Sequence, residues 1–142
     1  MKKWITLTLL ALSTVHAQTL QTLNQTITTY GQIWQESVPE KRLPLMEKVL
    51  SADFDYVDDY GQSVGHQGLS DIITGMHNSY PGFTVEFGPV ARHHNVARMA
   101  WAIYRKDKSL LVKGFDVVRF NEAGQLTSLV GFVGNFSTDA LD

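Results

Sequence analysis

The sequence contains no cysteine, which excludes disulfides, thiolate metal sites and a cysteine nucleophile. It has no excess of positive charge either. Twelve Lys and Arg stand against 14 Asp and Glu, which argues against a surface built to neutralise nucleic-acid phosphates. No apolar run approaches the roughly 20 residues that cross a bilayer, so no membrane span is expected. A Gly-rich phosphate loop, a serine elbow and a His-Glu-x-x-His pattern are also missing. Chemistry is left to carboxylates, histidine, tyrosine, hydroxyls and lysine.

The chain opens with Met1, Lys2 and Lys3, a mostly apolar stretch from Trp4 to Leu12, and the small-residue pattern Val15-His16-Ala17. Together these read as a secretory signal over residues 1–17, so an exported protein, periplasmic or extracellular in a bacterium, is expected. Residues 18–142 contain no repeat, low-complexity tract or linker. The whole sequence is 44% hydrophobic and 11% aromatic, which suits one domain with a sizeable core.

Leu20, Leu23, Ile27, Tyr30 and Trp34 recur at steps of three and four and predict a first helix. Ser37-Val38-Pro39-Glu40 has capping-box spacing for a second, which Pro44 is expected to break before it ends near Leu50. Leu69, Ile72, Ile73, Met76, His77 and Tyr80 predict a third, stopped by Pro81-Gly82. Beyond Pro81 the period becomes two. Strands are expected over 83–91, 96–104, 110–120 and 125–133, with a short earlier one over 54–58. Helices followed by a strand meander indicate an α+β domain, an antiparallel sheet with helices on one face.

Alternation separates the two faces of each strand. Leu110, Val112, Gly114, Asp116, Val118 and Phe120 share one face of the long strand, and Asp116 is its only charge. Phe54, Tyr56 and Asp58 share a face of the short strand. A carboxylate facing an apolar layer either finds partners or has its pKa raised. Two such acids in one cavity can divide proton transfer and oxyanion stabilisation. The residues alone leave another reading open for each. Asp116 can satisfy a buried polar group, and Asp58, followed by Asp59-Tyr60-Gly61, can simply open a turn. Met99 and Trp101 lie on an apolar face able to wall the same space. Trp34 and Phe132 are core aromatics that would line a cavity if the core is hollow. His77, on the apolar stripe of the third helix, is either a satisfied core histidine or a pocket residue. The histidines have no metal spacing.

The order and spacing of Tyr30 with Trp34, Tyr56-Val57-Asp58, Gly61, Gly65, Pro81-Gly82, Ala97 to Trp101, Gly114-Phe115-Asp116, and Gly124 followed by Gly131-Phe132 resemble the SnoaL-like family. That family belongs to the nuclear-transport-factor-2-like superfamily, with ketosteroid isomerase and scytalone dehydratase. The resemblance runs from about Thr19 to Phe136. It implies a cone-shaped domain, a strongly curved antiparallel sheet wrapped around helices with a deep apolar pocket. In ketosteroid isomerases Asp58 would match the base, Asp116 the acid that hydrogen-bonds the substrate oxygen, and Tyr30 the region of a donor tyrosine. Asp59 stands where those isomerases have proline.

Three functions compete on this reading. One is an exported acid/base isomerase, cyclase or dehydratase acting without cofactor on a small apolar carbonyl compound. Asp58, Asp116 and Tyr30 would be catalytic, and Trp34, His77, Met99, Trp101 and Phe132 would bind substrate. A second is a non-catalytic pocket for a small apolar molecule. The third is an interaction module. A homodimer is expected through the outer sheet face, where Ala100, Ala102, Tyr104, Phe115 and Val117 leave little polarity.

Overall fold

The computed structural model describes residues 22–134. The leader expected through Ala17 and Leu20 of the expected first helical stripe lie outside them. Helix α1 spans 22–35, and its repeat of apolar residues buries Leu23, Ile27, Tyr30 and Ile33 along one side. Helix α2, Pro39–Val49, opens with proline in its first turn and carries Glu40 early and Lys48 late, each suited to the helix dipole.

Two expectations fail at α2. The helix runs through Pro44 unbroken, because Pro44 sits on the exposed side while Arg42, Met46 and Val49 anchor the opposite side. The carbonyl that loses its partner there can be solvated. The capping box does not form either. Val38 is the N-cap without a side-chain cap, and its backbone N–H instead donates to Glu36 at 2.8 Å.

The remaining elements are β1 (Leu50–Asp58), β2 (Gly61–Val64), α3 (Gly65–Ser79), β3 (Thr84–Phe87), β4 (Ala91–His93), β5 (Val96–Tyr104), β6 (Leu110–Phe120) and β7 (Leu126–Val133). They form one curved, unclosed seven-stranded sheet in the order β2-β1-β7-β6-β5-β3, with β4 also on β5. The sheet is mixed, since β1 pairs β7 in parallel while the other pairings are antiparallel. The strand expected over 83–91 is split into β3 and β4, and the early strand extends back to Leu50. Register shifts interrupt β1 with β7, β5 with β6 and β6 with β7, and such irregularities bend a sheet. With its helices, the sheet makes a cone-shaped α+β fold whose core includes Ile27, Met46, Phe54, Ile73 and Leu129.

Arg42, fully buried, ties the helices together. Its guanidinium donates to the Ser70 carbonyl at 2.6 Å, Ser70 Oγ at 2.9 Å, Thr74 Oγ1 at 3.1 Å, and the carbonyls of Glu36 at 2.9 Å and Ser37 at 3.3 Å. Burial lowers its pKa, opposed by Glu36, Asp71 and Glu40. Among the described residues no helix is long and apolar enough to cross a membrane.

Candidate active site

Two residues apart on β1, Tyr56 and Asp58 point the same way. The Tyr56 hydroxyl donates to Asp58 Oδ2 at 2.6 Å. The other carboxyl oxygen, Oδ1, accepts the backbone N–H groups of Tyr60 at 2.8 Å and Gly61 at 3.0 Å. Asp58 therefore opens the turn into β2 and also faces inward. Asp59, one position on, accepts the Val133 N–H at 3.1 Å and fastens that turn to the end of β7.

Asp116 lies two strands away on β6, directly across from Gly131 of β7. A side chain at Gly131 would place its Cβ 2.9 Å from Asp116 Oδ1 and 3.2 Å from Asp58 Cβ. Glycine there leaves the space in which the two acids meet. Gly114 has a matching role on the other side of Asp116. It pairs with Trp101 of β5, and a Cβ there would stand 2.5 Å from Trp101 Cζ2 and collide with the Phe132 carbonyl. Lying against this glycine, the Trp101 indole donates its Nε1–H to Asp116 Oδ1 at 2.7 Å.

Burial raises the pKa of Asp116 to about 7, opposed by the Trp101 hydrogen bond and reinforced by the charge of Asp58. Tyr30 and Tyr56 are both held well above the usual phenol range, in each case chiefly by burial. At neutral pH the two tyrosines are therefore phenols, and Asp116 is poised between acid and carboxylate.

These groups open into a cavity of about 540 Å³, within the usual range for small-molecule sites. Of the side chains singled out from the sequence, Tyr30, Trp34, Asp58, Trp101 and Asp116 line it. His77, Met99 and Phe132 do not. His77 Nε2 is 2.9 Å from the Trp34 carbonyl and its ring rests on Phe83, joining α3 to α1. Met99 is packed in the core. Phe132 alternates to the outer face, where it is 46% exposed and stacks on Phe115.

Sequence reasoning did not single out Tyr56 as a site residue, although its place two residues before Asp58 on the same strand face was the available signal. It also missed Tyr60, Met76, Tyr80 and Leu111. Leu111 was hidden by the irregularity in which Tyr104 pairs Leu110 while Ile103 pairs Val112. Strict alternation would have turned Leu110 inward, yet Leu110 is exposed and Leu111 lines the cavity. Among the described residues no three His, Asp or Glu are gathered to hold a metal ion.

The same architecture occurs in solved structures. A candidate isomerase of the SnoaL-like family from Agrobacterium tumefaciens is 28% identical, with a TM-score of 0.74 over 81% of this chain and 99% of that one. An NTF2-like protein of unknown function from Exiguobacterium is 14% identical, with a TM-score of 0.63 over 78% of this chain and 99% of that one. A candidate polyketide cyclase from Sinorhizobium meliloti is 8% identical, with a TM-score of 0.59 over 75% and 93%. No family model matches the sequence, and no curated protein matches it either. Fold and likeness together make the chain a member of the SnoaL-like, nuclear-transport-factor-2-like superfamily.

Proposed function

We propose that the protein is an acid/base enzyme that isomerises, cyclises or dehydrates a small apolar carbonyl compound with its own side chains moving the proton. The observation that carries this reading is the meeting of Asp58 and Asp116 over Gly131 inside an apolar cavity. Asp58 is the base, oriented by Tyr56 and by two backbone N–H groups. Asp116, in its neutral form, donates from Oδ2 to the oxygen on which negative charge develops, which a buried donor does better than water. Tyr30 is a second donor to that oxygen. The candidate isomerase and cyclase among the similar structures favour such chemistry.

Export after Ala17 and a dimer through the outer sheet face belong to the same proposal. Phe132, Val130 and the Phe115 stack support the dimer, since they leave apolar surface on that face.

The test is deuterium uptake from heavy water into a panel of apolar ketones, followed by NMR. Exchange next to the carbonyl of at least one ketone, lost by about a hundredfold or more in Asp58→Asn, is the expected result. No exchange in any ketone, or full exchange in Asp58→Asn, contradicts it.

A further inference from the structure

We propose that the cavity also binds a protonated amine carried on an apolar or aromatic body, with its ammonium seated between the carboxyls of Asp58 and Asp116. This goes beyond the acid/base reading and requires no turnover.

The lining supplies negative charge from Asp58 and Asp116 and, among the described residues, no Lys, Arg or His. Nothing on the wall neutralises the acids, whose mutual repulsion is already felt at Asp116. A cation between them relieves that repulsion, whereas a carboxylate or phosphate would add to it. The hydrogen-bonding census points the same way. An ammonium has three donors and no acceptor. Asp116 Oδ2 has no hydrogen-bond partner among the described residues, while Oδ1 is held by Trp101. Tyr56 gives its hydroxyl proton to Asp58, so toward a ligand its oxygen can only accept. Trp34, Tyr56 and Trp101 bring aromatic rings to the same space, and ring faces attract cations. The rest of the wall, with Ile72, Val85, Ile103 and Val112, suits an apolar body.

The titratable groups facing Asp116 are Asp58 and Tyr56 from β1, Tyr30 from α1, Tyr60 from the β1–β2 turn and Tyr80 from the end of α3. β3 and β5 present only Val85, Phe87, Trp101 and Ile103. Asp116 is thus the group whose charge changes near neutrality. Amine binding should strengthen as pH rises from about 6 to about 8, while a primary ammonium stays protonated. A neutral oxygen ligand, which needs the Asp116 proton, should weaken over the same interval.

The experiment is calorimetric titration of the protein with three probes of one shape: naphthylmethylamine, naphthylmethanol and naphthoate. At about pH 8 the amine should bind at least about tenfold tighter than the alcohol, and naphthoate weakest of all. Asp116→Asn, which keeps a donor and cannot ionise, should weaken the amine by about tenfold and bind the alcohol as well as or better than the unaltered protein does. If that variant does not fold, Asp58→Asn and the opposed pH slopes of amine and alcohol in the unaltered protein carry the same readout. An amine that fails to bind at millimolar concentration, binds no better than the alcohol, or ignores the substitution overturns the proposal. Failure of the amine alongside deuterium exchange in a ketone would remove this inference and leave the acid/base reading standing.

Discussion

Trp101 reaches Asp116 with a 2.7 Å hydrogen bond because Gly114, its cross-strand neighbour, has no side chain to hold the indole away. That bond is the interaction opposing the rise in the Asp116 pKa. Trp101→Phe keeps a ring and removes the donor, so Asp116 should titrate above about 7 in that variant. Carboxyl-carbon NMR reads the shift, and an unchanged midpoint would show that the bond does not govern the acid.

Gly131→Ala puts a methyl group where the two acids meet, 2.9 Å from Asp116 Oδ1 and 3.2 Å from Asp58 Cβ. Crowding of this kind typically costs about 1–3 kcal/mol. The loss of function should exceed the loss of stability: ketone exchange falls by at least about tenfold in a protein that still unfolds cooperatively. Exchange kinetics beside a urea melt separate the two effects.

Asp116 also gives stability a pH dependence with a definite sign. Its folded pKa of about 7 lies above the ordinary value of 3.8, so the folded state holds the proton more tightly than the unfolded chain. The contribution is fully present below the unfolded value and is lost as pH rises through the folded one, about 4 kcal/mol at most. Asp116→Asn keeps the shape and cannot ionise. It should melt at a higher temperature than the unaltered protein above about pH 7 and lack this part of the pH dependence. Thermal melts across the range check it.

The fold was largely legible because period and punctuation agreed. β5 and β6 begin and end where alternation and turn residues put them, and the stripe from Leu69 to Tyr80 marks most of α3. Pro44 misled because proline is judged by its local cost, while the side of the helix it occupies depends on tertiary packing. Phe132 misled for a related reason. Its aromatic character suggested a cavity wall, but Gly131 beside it is the inward residue. Both acids could be picked out as lone charges on apolar faces. Their meeting was implied only by the family resemblance and not by the strands themselves, because β1 and β6 are brought together by β7 between them, in a parallel pairing with β1 that a local reading does not supply. Arg42 was invisible for the same reason, since its partners Ser70 and Thr74 lie on another helix.

Arg42→Met replaces the buried guanidinium by an apolar chain and leaves the carbonyls of Glu36 and Ser37 without their donor, while the Ser70 carbonyl keeps the Thr74 hydroxyl. The expected loss is about 3 kcal/mol in urea unfolding, since buried polar groups without partners cost about 1–3 kcal/mol each. A variant within about 0.5 kcal/mol of the unaltered protein would show that these contacts are dispensable.

Asp58 and Asp116 share a space, and Asp116 keeps its proton to near neutrality. Carboxyl-carbon NMR titration of Asp116, in the unaltered protein and in Asp58→Asn, tests this most directly. The expected midpoint is about 7, moving down when the Asp58 charge is removed. A midpoint at the ordinary value near 3.8, indifferent to Asp58→Asn, would contradict the claim.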